Sequence, residues 1–287
     1  MSSDSRKPFS MVPDPPGRSV KKPRQSGLTM MMDWGLPSAA QADWLELIAP
    51  YVDLAKLVVG TARLYDRDYL LSKLALYRQY EVAPFIGGQF LEFVYATQGF
   101  GAVAPFCEEA IALGVAAVEV SDNVVALDDD ERRRLIAAVA ATGLEVHGEV
   151  GSKSQQTRGE ELIAQARLCL EAGASVVLIE GAELLHNGTP DQELIELLGR
   201  ELDASNVLYE LSGPWVANTH WTDVLSLKSF LVRTFGPDVN LANVMPDAVF
   251  ETEALRRGLS TTGPPNYHHA EAEERRQVER PYQTGQD

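Results

Sequence analysis

The chain has 287 residues, 45% of them hydrophobic and 23% charged, which is enough apolar material for a large core with an ordinary share of charge. A formal net charge of −16 argues against a nucleic-acid backbone or an anionic membrane as the main partner, because both need a positive surface, and it leaves room for a small anionic substrate held by a few local cations. No run approaches the roughly 18 apolar residues of a membrane span, the opening MSSDSRKPFSMVPDPPGRS lacks a signal-peptide core, and Cys107 and Cys169 have no CxxC or His-rich company, so the expectation is a reducing, cytoplasmic setting without zinc or disulfide framework.

Residues 1–22 are rich in Ser, Pro and charge and read as a flexible leader, with the basic run Arg18, Lys21, Lys22 and Arg24 as a solvated flank. A single barrel domain is expected over 23–262. Within it, short apolar runs predict strands over 27–33, 52–59, 82–87, 116–122, 145–151, 175–181, 207–212 and 239–244. Amphipathic stretches between them predict helices near 39–49, 66–80, 90–113 with a break at 99–101, 128–141, 159–172, 190–202, 218–235 and 246–257. Gly114, Gly143 and Gly173 fall just before strands, where helices end in left-handed caps. From 263 to 287 the chain is a polar tail with a short helix near 270–279 and a His268–His269 pair.

Alternation of nearly continuous apolar strands with helices implies parallel pairing buried on both faces. Repeated eight times, it closes most economically as an α/β fold of the (β/α)8 TIM-barrel type with flexible N- and C-terminal tails. The alternative is an open doubly wound sheet, but no glycine-rich dinucleotide turn follows Asp33.

In such a barrel the chemistry sits where strands end. Glu119, Glu149, Glu180 and Glu210 stand at or near the ends of four successive strands, and converging carboxylates suit a hard divalent cation such as Mg2+. The alternative reading of the same glutamates is a set of strand-end ion pairs to Lys56 and to helix-borne arginines. Lys56, inside the apolar DLAKLVVG, must meet a carboxylate or an anionic substrate. Lys56, Glu149, His147 and Lys153 are the catalytic candidates. Gly60, Thr61, Gly87, Gly88, Ser121, Ser212, Asn240 and Asn243 are the substrate-binding ones, with loop backbone N–H groups aimed at anionic oxygens.

Several segments together resemble one family. Lys22–Pro23–Arg24 with Gly27–Leu28–Thr29–Met30, Lys56–Leu57 with Gly60–Thr61, Glu119–Val120–Ser121–Asp122, Glu149–Val150–Gly151, Ile179–Glu180–Gly181, Asn240–Leu241–Ala242–Asn243 and the 253–259 run EALRRGL are similar to phosphosulfolactate synthases. The resemblance runs from about 22 to 262. It implies a homo-oligomeric (β/α)8 lyase that takes a small phosphoenolpyruvate-like anion and uses Mg2+ to add sulfite to phosphoenolpyruvate, with sulfite expected at carbon 2 and a proton at the methylene carbon. The chain departs from the family pattern where an arginine is replaced by Ala182, a lysine by Ser152, a Glu-Ala-Pro segment by Glu210–Leu211–Ser212–Gly213–Pro214–Trp215, and the closing Arg-Gly-Asp-Thr by Ser260–Thr261–Thr262–Gly263. Loss of positive charge leaves three readings open: a synthase with an altered nucleophile or acceptor, a non-catalytic binding or stress-associated barrel, and an enzyme using His147 and Trp215 to read a larger, less charged molecule.

Overall fold

The computed structural model describes residues 8–153 and 156–260. The predicted tail helix and the His268–His269 pair lie outside the described residues. Eight parallel strands close a barrel in sequence order: β1 (Thr29–Asp33), β2 (Leu54–Leu57), β3 (Ala83–Ile86), β4 (Ala117–Val120), β5 (Glu145–Val150), β6 (Val176–Ile179), β7 (Val207–Glu210) and β8 (Leu241–Val244). Around them run α1 (Ser38–Ile48), α2 (Arg67–Gln79), α3 (Gly88–Gln98), α4 (Val103–Leu113), α5 (Asp129–Ala140), α6 (Gly159–Ala172), α7 (Gln192–Glu201), α8 (Trp221–Phe235) and α9 (Val249–Arg256). Every barrel strand lies inside its predicted window. The break in the third helical window is a 3-10 turn, Phe100–Ala102, between α3 and α4. Gly114 and Gly173 cap α4 and α6 in the left-handed region, at φ 81° and 115°. One small feature escaped the pattern: Leu185–His186 and Thr189–Pro190 form a two-stranded ribbon across Asn187–Gly188, both at positive φ as a tight hairpin requires.

Alternation along each strand separates two cores. Outward residues such as Met31, Ala55, Val118, Val146, Val177 and Leu241 pack under the helices. Inward residues Met30, Phe85, Ala117, Leu178, Leu208 and Ala242 fill the barrel itself. Alternation then sets what lies beyond that inner layer, since Glu119 and Glu149 each stand one inward position further along their strands than Ala117 and His147. The charged layer therefore rests on an apolar floor at the C-terminal end of the barrel.

The opposite end is closed by the basic run, which corrects the expectation of a solvated flank. Arg18 is buried, with Nη2 2.8 Å from Glu253 and Nη1 3.2 Å from Asp238. Arg24 is buried against Asp53 at 3.0 Å, and the Lys22 ammonium donates to the Val52 carbonyl at 2.7 Å. Three cations there satisfy carboxylates and strand-entry carbonyls that the chain could not otherwise bury.

Candidate active site

Three glutamates meet at the barrel mouth. One carboxylate oxygen from each of Glu119, Glu149 and Glu210 lies within 4.8 Å of the others, and all three residues are buried. The Lys56 ammonium stands among them, 2.8 Å from Glu119 Oε2, 3.2 Å from Glu210 Oε1 and 3.8 Å from Glu149 Oε2. The two sequence readings of these residues, cation pocket and lysine ion pairs, thus describe one cluster. Glu180 is set apart: its Oε2 faces Lys153 at 3.4 Å and its Oε1 accepts from the Ala182 amide at 3.1 Å. Lys153 also reaches Glu149 at 3.7 Å and keeps 27% of its side chain exposed.

Electrostatics follow from burial against charge. Burial, with the neighbouring Glu149 charge, pushes Glu119 up to about 8 despite Lys56. Burial raises Glu210 well above the carboxylate range and raises Glu180 too. Burial also works against the Glu149 carboxylate, yet Lys56 and Lys153 outweigh it and hold it at about 2. For Lys56 burial opposes the charge, but the facing carboxylates prevail and keep it an ammonium.

A cavity of about 100 Å³ opens over this layer, lined by Lys56, Lys153, the three clustered glutamates, Gly87, Gly88, Asn123, Asn243 and a roof of Trp34 and Trp215. The two indoles are tilted, with ring centroids 5.9 Å apart. A larger cavity of about 870 Å³ lies outside the barrel beside α2, α3 and α4, away from the clustered carboxylates. Volume alone would misplace the site.

The other sequence candidates divide sharply. Gly87 and Gly88 line the cavity, where the Gly88 amide donates to Glu119 at 2.8 Å, and a Cβ on Gly88 would overlap the Ser121 side chain. Ser121 is spent behind the wall, donating to Glu92. Ser212 is buried with its hydroxyl unpartnered. Asn243 reaches the cavity because β8 is bulged: Thr29 pairs with Leu241 but Met31 with Val244, and Asn243 takes the extra position at φ 59°. Thr61 turns its hydroxyl to the Val58 carbonyl at 2.7 Å, and Gly60 lies against Phe90, so neither lines the mouth.

Two candidates need correction. Asn240 lies at the N-terminal end of β8, remote from the mouth. Its side chain accepts from the Leu28 amide at 2.9 Å and donates to the Ala204 and Val207 carbonyls at 2.9 and 3.0 Å. It is a strand-entry clamp rather than a ligand group. His147 points into the barrel but one layer too low, edge-on to Phe85 at 4.6 Å, and burial lowers it to about 3. A neutral ring there packs the floor.

Sequence reasoning missed the group that shapes the β4 loop. Glu92, from α3, accepts from the amides of Asn123, Val124 and Val125 at 3.1, 2.7 and 3.0 Å. That loop presents Asn123, whose Nδ2 donates to Glu149 at 2.7 Å. Glu92 occupies a helical position, where a glutamate reads as surface, and its burial depends on a loop that carries no periodic signal. Glu183 does the same for the β5 loop, accepting from the Ser152 and Thr157 amides at 2.7 and 2.8 Å.

The fold and the site together define a (β/α)8 barrel with an enzyme-like mouth of buried glutamates and two lysines. The chain belongs to the phosphosulfolactate synthase family: residues 17–262 match the family model described as (2R)-phospho-3-sulfolactate synthase (ComA). It is 30% identical to the phosphosulfolactate synthase of Methanothermobacter thermautotrophicus over 249 residues, covering 83% of this chain and 91% of that protein. Identity to the synthase of Methanocaldococcus jannaschii is also 30%, covering 82% and 92%, and to that of Bacillus subtilis it is 24%, covering 84% and 93%. Among solved structures, a truncated 3-deoxy-D-arabino-heptulosonate 7-phosphate synthase from Thermotoga maritima superposes with a TM-score of 0.50 at 10% identity, covering 76% of this chain and 74% of that one, a likeness of fold alone. No helix among the described residues is long and apolar enough to cross a membrane.

Proposed function

We propose that the protein is a Mg2+-dependent, cytoplasmic lyase-type synthase that adds sulfite or another small nucleophile to phosphoenolpyruvate or a related enol acid. The observation that carries this reading is the convergence of Glu119, Glu149 and Glu210 within 4.8 Å beside Lys56. The donor set fits Mg2+, which takes oxygen ligands at about 2.1 Å in an octahedron and so wants oxygens roughly 3–4 Å apart. Glu119 Oε2 meets the Lys56 ammonium at 2.8 Å, so a cation held by the three glutamates would share that oxygen with the lysine. Glu180, held by Lys153, falls outside the ligand set.

When bound, Mg2+ supplies Lewis-acid polarisation of the acid's carboxylate and enol oxygens. The chain's own groups do the rest. Lys56 remains charged and offsets the negative charge that builds on the acid. The family's product name places the sulfonate on carbon 3, which reverses the regiochemistry anticipated from the sequence. The nucleophile's lone pair therefore bonds to the methylene carbon, the C=C pair moves onto carbon 2 and its carboxylate, and carbon 2 takes up one proton. Lys153, charged and partly exposed at the rim, is placed to pass that proton in from solvent. Trp34 and Trp215 keep bulk water off the reacting carbon.

Turnover of phosphoenolpyruvate by the purified protein with Mg2+ and sulfite, compared with Glu149→Gln and Lys56→Ala, tests the reading. Loss of at least a hundredfold in both variants is expected. Equal rates in all three would remove these residues from the mechanism, and absence of both turnover and binding of any enol acid would favour a barrel without catalysis.

A further inference from the structure

Trp215 and Asn243 line two neighbouring cavities. One is the mouth; the other, about 240 Å³, lies behind it between the loop after β7, the start of α8 and the β8–α9 connection. Its wall is mostly apolar, with Leu211, Pro214, Trp221, Val224 and Met245, while Trp215 and Asn243 line both spaces. The lysine in that wall, Lys228, has its ammonium against Glu251 and 3.1 Å from Thr252 Oγ1, so it is already engaged.

Three features mark this as more than a packing gap. Gly213 leaves its α-carbon bare where the Trp215 indole lies, and a Cβ there would overlap the ring, so the partition has a built position. Ser212 Oγ and Asn243 Oδ1, both in the lining, are buried without a hydrogen-bond partner. Buried polar atoms left unmet are costly, and a ligand that meets them recovers the cost. The mouth, at about 100 Å³, holds little beyond a compact three-carbon acid. A dry apolar cavity of about 150 Å³ is enough to take benzene.

We propose that the pocket behind Trp215 takes an apolar substituent on the third carbon of the enol acid, so that the substrate is a branched-alkyl or aryl enol acid, or its 2-oxo tautomer, with Trp215 as the specificity-determining wall. The inference rests on the mouth being the acid-binding site. Ser212 and Asn243 then meet polar atoms at the junction of acid and side chain. Each buried methylene strengthens binding by about fourfold, and an aryl or isobutyl group by tens of fold.

Titration calorimetry of the full chain with Mg2+ compares pyruvate, 4-methyl-2-oxopentanoate and phenylpyruvate. The two larger acids are expected to bind at least tenfold more tightly than pyruvate. Val224→Phe and, separately, Ala248→Leu fill the pocket without touching the mouth, and either should erase that preference while leaving pyruvate affinity unchanged. Equal affinity for all three acids, with pyruvate binding still abolished by Lys56→Ala, overturns the pocket assignment and leaves the mouth reading standing. A preference that survives both filled variants overturns it as well. Failure of every acid to bind overturns both.

Discussion

Metal-free protein should lose stability as pH rises from 6.5 to 8, and Mg2+ should cancel the loss. The sign comes from the raised carboxyls. A group that holds its proton to about 8 in the folded state, against an ordinary value of 4.5, opposes folding increasingly above 4.5, because the unfolded chain ionises first. For Glu119 the part of that change falling between pH 6.5 and 8 is about 2 kcal/mol, and Glu180 and Glu210 shift in the same direction. The window matters. Below 6.5 the neutral, buried His147 gives the opposite slope, since its folded value of about 3 lies under its unfolded one of 6.5. Glu149, held at about 2, contributes stability present above 4.5 and lost only as pH falls toward 2, so it is constant across the window. Lys56, raised above 10.5, contributes stability that is intact throughout and lost only in stronger base. A decrease of about 2 kcal/mol corresponds to a fall in Tm of roughly 4–8 °C for a domain of this size. Denaturation in chelator at pH 6.5, 7.25 and 8, repeated with saturating Mg2+, measures both arms. Because the metal needs deprotonated oxygens, its stabilisation should be larger at pH 8 than at 6.5. A flat profile in chelator, or a Mg2+ effect equal at both ends, would mean that the mouth glutamates do not hold their protons into this range.

Other substitutions probe separate parts of the framework. Gly88→Ala forces a methyl group against Ser121 and moves the amide that holds Glu119, so it should cost about 1–3 kcal/mol in urea unfolding and raise the Mg2+ concentration needed for half-maximal activity. Glu92→Ala frees three loop amides and the hydroxyl of Ser121; a lowered kcat with proteolytic nicking confined to 121–125 is expected, and an intact loop would contradict it. Lys73→Met removes the ammonium that meets Asp33 at 2.5 Å with both side chains fully buried, leaving the carboxylate the Gly35 and Leu36 amides and the Tyr77 hydroxyl, and should cost about 3 kcal/mol, most of it recovered by adding Asp33→Asn. Arg18→Ala should cost a similar amount at the far end of the barrel while leaving kcat near the parent value.

What the sequence revealed and what it hid follow one physical division. Period-two alternation with eight apolar runs is a local signal, and it located every barrel strand and Lys56; of the four glutamates expected to converge, Glu119, Glu149 and Glu210 meet while Glu180 stands apart beside Lys153. Position along a strand was read less well than membership in it. Asn240 immediately precedes β8 and Asn243 lies near its end, so one sits at the entry and the other at the exit, and only the bulge, invisible to periodicity, brings Asn243 to the cavity. His147 and Glu149 share a face, but two residues of strand rise place them in different layers, floor and mouth. The longest-range partnerships were not legible at all. Arg18 with Glu253, Lys73 with Asp33 and Glu92 with the 123–125 amides join segments whose proximity is a product of barrel closure.

Charge at the mouth gives the final constraint on substrate. Glu119, Glu149, Glu180 and Glu210 face two ammonium groups, Lys56 and Lys153, so full ionisation leaves two negative charges, which one divalent cation would neutralise. Where the resemblance leads to the expectation of an arginine and a lysine, this chain has Ala182 and Ser152, and their backbone amides are taken by Glu180 and Glu183. A phosphate ester and sulfite arriving together would bring several further negative charges into a site whose lining cations, Lys56 and Lys153, are already paired with glutamates, each missing charge-assisted contact being worth about 1.5–3 kcal/mol. A singly charged acid with an apolar tail avoids that cost and fills the space behind Trp215. Restoring charge with Ala182→Arg and Ser152→Lys should improve affinity for phosphoenolpyruvate by tenfold or more while leaving phenylpyruvate binding within about twofold. Equal gains for both acids would show that charge at the rim does not discriminate between them.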